Sequence, residues 1–195
     1  MAAPAEPAQR LFFALWPDPD VRRQLAAASQ SVRDKATGRP VPDENLHITL
    51  AFLGSVDAEV FACISEAARG LATESFELVI DRAGWWRRTG ILWLAPSRAP
   101  ASLNRLVKAL WVALEPCGFW PDYRDFHPHV TIARRCRRAS LPEVEPVHWP
   151  VPEITLLPWH KGSVVMTMGW PSPCTTAESS EAENKSEYVG FRCCL

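Results

Sequence analysis

The sequence predicts an α+β or α/β domain with two similar lobes. Short apolar runs of strand character alternate with stretches of helical periodicity. The 195 residues, 47% of them hydrophobic, suit one globular domain or two small lobes sharing a core. The halves also share a short repeat: Leu46-His47-Ile48-Thr49-Leu50-Ala51 matches Pro128-His129-Val130-Thr131-Ile132-Ala133 at His, Thr and Ala, with apolar residues in the same gaps.

Arg10 to Trp16 (RLFFALW) is expected to form a buried strand that Pro17 ends. From Pro19 to Lys35, Val21, Leu25, Ala28 and Val32 recur on one helical face. Gly38 to Asn45, with two prolines, reads as a loop. Leu46 to Leu53 reads as a strand closed by Gly54, and Asp57 to Thr73 as a second helix carrying Val60, Ile64 and Ala67. Phe76–Ile80 and Ile91–Leu94 are expected strands joined by a turn that carries Trp85, Trp86, Arg87 and Arg88. Leu103–Leu114 is a third helix, starting near Pro100 and Ser102. Pro128–Ala133, Ile154–Leu157, Val164–Thr167 and Tyr188–Cys194 complete the expected strands. Residues 1–9, rich in Ala and Pro, are expected to be a flexible N-terminus, with one domain over 10–195 and a polar, mobile loop at 171–187.

Composition excludes several classes. A net charge of −1 announces no nucleic-acid partner, so RNA binding requires a local basic patch. No run of about 18 apolar residues is present, so a membrane span is not expected. The start lacks a signal peptide's apolar stretch, and a cytoplasmic protein is expected. The six cysteines show no C-x-x-C spacing and are expected to be reduced thiols, because a chain of this length needs no disulfide framework.

The repeated segment carries the chemistry. Five His and nine Thr in 195 residues give about 0.2 His-x-Thr triplets by chance, and this chain has two, both in apolar strands. In a strand, residues i and i+2 share a face, so His47 projects with Thr49 and His129 with Thr131. Ile48, Leu50 and Phe52, like Val130 and Ile132, face the other way and can fill the core. Two imidazoles and two hydroxyls around one cleft suit phosphodiester chemistry. One neutral His takes a proton from water, the other as imidazolium protonates the leaving oxygen, and the hydroxyls hold phosphate oxygens. Both protonation states are expected to be accessible near neutrality. Either histidine alone reads more simply as a hydrogen-bonded core residue, but the matched pair favours catalysis.

The paired motifs resemble those of the 2H (two-histidine) phosphoesterases. LHITLAFLG, HPHVTIARR and the opening RLFFALW are most similar to the RNA 2′,3′-cyclic phosphodiesterase branch, also described as 2′-5′ RNA ligase-like. The resemblance implies an α+β, bilobal fold: two antiparallel sheets related by a pseudo-twofold axis, with flanking helices and a central cleft. It implies hydrolysis of a 2′,3′-cyclic phosphate to a 2′-phosphate with no cofactor and no metal. It gives His47 as proton donor to the leaving O3′, His129 as proton acceptor from water, and Thr49, Thr131 and Arg134 as phosphate contacts. Strict alternation instead places Arg135 on the face of His129 and Thr131. The implied partner is RNA or a nucleotide with a 2′,3′-cyclic phosphate, met by a monomer away from membranes. Two alternatives stay open: RNA end-joining with a 5′-hydroxyl as nucleophile, and a non-catalytic RNA-end or nucleotide-binding module.

Other features weigh less. His127 with His129 makes a poor metal site without an acidic or Cys partner, and His127 is expected to cap the strand or line the cleft rim. His148 and His160 read as structural. The run Arg134, Arg135, Arg137 and Arg138 is either a solvated loop or an RNA contact. Trp85 and Trp86 read as packing residues before base-stacking ones.

Overall fold

The computed structural model describes residues 9–71, 74–122, 124–158 and, for the backbone, 191–194. The expectations for residues 1–8, the strand Val164–Thr167, His160 and the loop 171–187 lie outside the described residues. The expected start is met by β1 (Gln9–Leu15). Then comes α1 (Pro19–Arg33), capped by Asp18, whose carboxylate accepts from the backbone N–H groups of Asp20 and Val21. The proline-bearing loop contains a two-residue strand, β2 (Arg39–Pro40), and a 3-10 turn at Asp43–Asn45.

The first motif leads into β3 (Ile48–Val56), which continues through Gly54 at φ 74° rather than stopping there. Next is α2 (Ala58–Arg69), capped by the Asp57 carboxylate on the Val60 N–H. The stretch read as a turn between two strands holds a third. The order is β4 (Phe76–Ile80), β5 (Arg82–Trp86) and β6 (Ile91–Ala95). Then follow α3 (Ala101–Leu114), β7 (Val130–Arg134), β8 (Val147–Val151), β9 (Glu153–Pro158) and β10 (Phe191–Cys194). Among the described residues β8, like β2 and β5, is a strand missed in sequence. Three prolines, Pro146, Pro150 and Pro152, flank or enter Val147–Val151, and they suit a strand with only one partner.

All pairings are antiparallel. The main sheet runs β10-β9-β1-β3-β7-β6-β5, with β2 added to β7, and β4 and β8 form a second, two-stranded sheet. The two motif strands β3 and β7 meet through one residue pair, Ile48 opposite Val130. That pair is the seam between the lobes. Both side chains are fully buried, in one core with Leu25, Ile64, Leu94 and Leu110.

Phe52 corrects a sequence expectation. It is 49% exposed rather than in the core. The cause is register: β1 skips Leu50 and Leu53 when it pairs with β3, so each is an extra residue that shifts the alternation. The inward residues are therefore Ile48, Leu50, Ala51, Leu53 and Val56.

The cysteines correct another. Cys63 on α2 and Cys117, in the turn after α3, form a disulfide across 54 residues of sequence. Cys136 is a buried free thiol that burial makes harder to ionise. Its sulfur occupies the space a side chain on Gly38 would need. Among the described residues, no helix is long and apolar enough to cross a membrane.

Candidate active site

The seam sets the geometry. Continuing the antiparallel register of Ile48 and Val130 by one residue each way faces Thr49 toward His129 and Thr131 toward His47. The apolar partners point into the core, so the four polar residues stand on the opposite face. The two halves of the repeat thus meet at the seam, on the face opposite the core.

Each histidine is oriented in the same way. His47 Nδ1 lies 2.8 Å from the Asn45 carbonyl oxygen, and His129 Nδ1 lies 2.8 Å from that of His127. A carbonyl only accepts, so Nδ1 carries the proton and Nε2 is left as the working nitrogen. His47 Nε2 is 3.1 Å from Thr49 Oγ1, whose hydroxyl donates to it while the ring is neutral.

Aromatic packing supports both rings. Even-numbered residues of β1 turn toward the cleft side, where Phe12, Ala14 and Leu157 form a small cluster with Trp16. Trp16 stacks on His47 at 5.5 Å between ring centres, and Phe12 lies 5.1 Å from it. On the other lobe, Trp86 at the end of β5 meets His129 edge-on at 4.6 Å. The sequence showed β1 to be apolar on both faces but not that one face buttresses His47. Of the two tryptophans singled out, Trp86 reaches the site and Trp85 packs against the core.

This packing changes the electrostatics. Burial lowers His47 to a pKa of about 4, aided by the charges of Arg134, His129 and Arg22 and opposed by the Asn45 carbonyl. Burial lowers His129 too, with Arg134 and His127 adding to the effect and the His127 carbonyl opposing it. Both rings are therefore neutral at pH 7 in the free protein, whereas ordinary histidines would titrate near neutrality.

Arg134 acts electrostatically on both histidines. The register of β7 decides which arginine shares the face of Thr131. β6 pairs Leu92 with Ala133 and Trp93 with Thr131, so Ile132 is an extra residue in β7. That bulge returns Arg134, rather than Arg135, to the face of Thr131. Arg135 follows with φ 58°, outside the strand. The Ile132 carbonyl accepts from the Val41 N–H at 2.9 Å and from Arg33 Nε at 3.1 Å, which fixes the bulge. The same offset from the histidine holds in β3, where the extra residue is Leu50.

His127 lies before β7, which begins at Val130, and lines a cavity of about 420 Å³ beside His129. His148, read as structural, sits on β8 with Nδ1 3.1 Å from Glu77 on β4. Among the described residues, no three His, Cys, Asp or Glu residues are grouped to hold a metal.

Comparison with known proteins identifies the family. Residues 17–163 match the family model of the 2′-5′ RNA ligase superfamily. The chain is 37% identical over 131 residues to the RNA 2′,3′-cyclic phosphodiesterase of Escherichia coli (strain K12), covering 67% of this chain and 74% of that protein. It is 32% identical over 162 residues to the enzyme of the same name from Thermus thermophilus, covering 76% and 80%. The solved structure of E. coli LigT complexed with 3′-AMP superposes with a TM-score of 0.73 at 33% identity, covering 81% of this chain and 93% of that one. On its sequence, its α+β fold and its match over most of its length, the chain belongs to the 2′-5′ RNA ligase superfamily, the two-histidine phosphoesterases.

Proposed function

We propose that this protein hydrolyses 2′,3′-cyclic phosphate ends of RNA to 2′-phosphates by acid–base catalysis between His129 and His47. One observation carries the reading: the register at Ile48–Val130 turns two His-x-Thr pairs onto one cleft, with Arg134 acting on both rings. The names of the relatives support the same substrate.

The cyclic phosphate anion is drawn to Arg134, and the hydroxyls of Thr49 and Thr131 hold its non-bridging oxygens. His129 Nε2 takes a proton from water, which attacks phosphorus opposite O3′. The P–O3′ bond breaks as His47 Nε2–H gives its proton to O3′. The product keeps the phosphate on O2′, with His47 neutral and His129 charged, and solvent exchange restores the starting state. The reaction needs His47 protonated, yet burial keeps it neutral in the free protein. The substrate's negative charge supplies the missing stabilisation, so binding and proton uptake are coupled. Arg134 and the His47 imidazolium supply the positive charge at phosphorus, so no metal enters the scheme. One chain supplies both histidines, so a monomer suffices.

The test is incubation with a nucleoside 2′,3′-cyclic phosphate in EDTA, followed by phosphorus NMR. The expected product is the 2′-phosphate alone. A 3′-phosphate would mean that O2′ leaves, and activity restored only by a divalent metal would remove the two-histidine scheme.

A further inference from the structure

The cavity beside His129 is not used by the chemistry above. It lies within one lobe, between β5 and β6, the loop from β6 to α3, and the segment before β7. Its walls include Trp86, Trp93 and Phe126, and its polar rim includes Arg82, Asn104 and His127.

The aromatic wall is specifically accommodated. A Cβ on Gly84 would fall 2.0 Å from the Trp93 ring, so only glycine at this position of β5 lets the indole lie across the strand backbone. The Arg82 guanidinium covers the Trp93 ring at 5.4 Å. Trp93 meets Trp86 at 5.5 Å, and Trp86 meets His129 at 4.6 Å. The rim is also held in place: Asp81 accepts from the Ser97 N–H and from the Ser97 hydroxyl, both at 2.6 Å. A continuous set of rings therefore leads from the cavity to the catalytic imidazole.

We infer that this cavity is a nucleobase pocket. The inference rests on the proposed RNA-end activity and names the group that the enzyme reads beside the phosphate. About 420 Å³ is within the range of small-ligand pockets and large enough for a nucleoside. A flat heteroaromatic ring stacks on the planes of Trp86, Phe126 and the Arg82 guanidinium that Trp93 backs, while its edge needs the donors and acceptors that Arg82 and Asn104 present. A purely apolar ligand would make no use of these polar groups, and a bare sugar would leave the aromatic wall uncovered. The base has two possible sources, the nucleotide carrying the cyclic phosphate or a second nucleoside across phosphorus.

The experiment measures affinities of four ligands by calorimetric titration, in the intact protein and in Arg82→Ala/Asn104→Ala. Both replaced residues are exposed, so the fold should survive the change. Nucleoside 2′-phosphate is compared with ribose 2-phosphate, and nucleoside 5′-phosphate with ribose 5-phosphate. At least a tenfold advantage from the base is expected in one pair, falling severalfold in the double variant. An advantage in the 2′ pair assigns the pocket to the terminal nucleotide, and one in the 5′ pair assigns it to a second nucleoside. No base advantage in either pair, or an advantage that the variant keeps in full, overturns the pocket. Binding is read without turnover. A protein that binds bases as expected but hydrolyses no cyclic phosphate would refute the proposed activity and keep the pocket.

Discussion

At the scale of single residues, the histidines combine a legible identity with an illegible environment. The His-x-Thr spacing was readable because strand alternation is local, and the structure brings both pairs to one cleft. Their lowered pKa values were not readable, because the burial comes from Trp16 and Phe12 on another strand and from Trp86 on the far lobe. The consequence is testable. The pH dependence of kcat/KM follows the free enzyme, so its bell should peak on the acid side of 6.5 rather than around it. A maximum above pH 7 would contradict two neutral imidazoles. Titrating the protein with a phosphodiester anion near pH 7, in buffers of different ionisation enthalpy, should show net proton uptake. His47→Ala should be rescued by an aryl phosphodiester, whose leaving oxygen needs no proton, whereas His129→Ala should not. Rescue of the opposite variant would exchange the two roles. Thr49→Ala and Thr131→Ala should each weaken turnover by about 1–3 kcal/mol without abolishing it. Wild-type rates in a folded double variant would remove the hydroxyls from the site.

At the scale of elements, the bulges decide more than the strands do. A strict period of two puts Phe52 inside and Arg135 on the face of His129, and in each strand a bulge shifts that alternation. Each motif strand gains a residue three positions after its histidine, Leu50 in β3 and Ile132 in β7. Such insertions depend on what the neighbouring strand offers, so they leave no local signal. Arg134→Gln should therefore cost at least tenfold more mononucleotide kcat/KM than Arg135→Gln. It should also raise the titration midpoints of both histidines in proton NMR, because Arg134 lowers both. Equal effects of the two variants would mean that the bulge does not set the face. β5 was missed for a related reason: Gly84 and two tryptophans look like a turn until Trp93 is seen lying over the glycine. Gly84→Ala should force the indole aside and cost about 1–3 kcal/mol of stability, visible as a lower denaturation midpoint.

At the scale of the whole molecule, topology concentrates charge that the net value of −1 conceals. Pairing of Arg39 with Arg134 brings β2 to the basic run, and the Cys136 N–H on the Gly90 carbonyl brings the Arg87–Arg88 turn beside it. Seven exposed arginines, Arg39, Arg87, Arg88, Arg134, Arg135, Arg137 and Arg138, are thus gathered at the C-terminal end of β7. The sequence showed four of them, because the other three arrive through long-range pairing. Replacing Arg87, Arg88, Arg137 and Arg138 by Gln should flatten the salt dependence of oligonucleotide binding by roughly 0.7 per lost phosphate contact. An unchanged slope would make the corner a solvated surface. The Cys63–Cys117 bridge was hidden likewise, since 54 residues separate the partners and only the packing of α2 against the end of α3 unites them.

The single pair at Ile48–Val130 also fixes where the molecule can bend at least cost to its chemistry. Within the main sheet it is the only rung between the lobes among the described residues, and each catalytic imidazole is attached one residue from it. A pivot displaces nearby groups least. A rotation of about 5° moves an atom about 5 Å from the axis by only about 0.4 Å, while the rims of the cleft, on longer lever arms, swing much farther. Any pivoting about this rung would therefore change the spacing of His47 and His129 far less than the width of the cleft mouth.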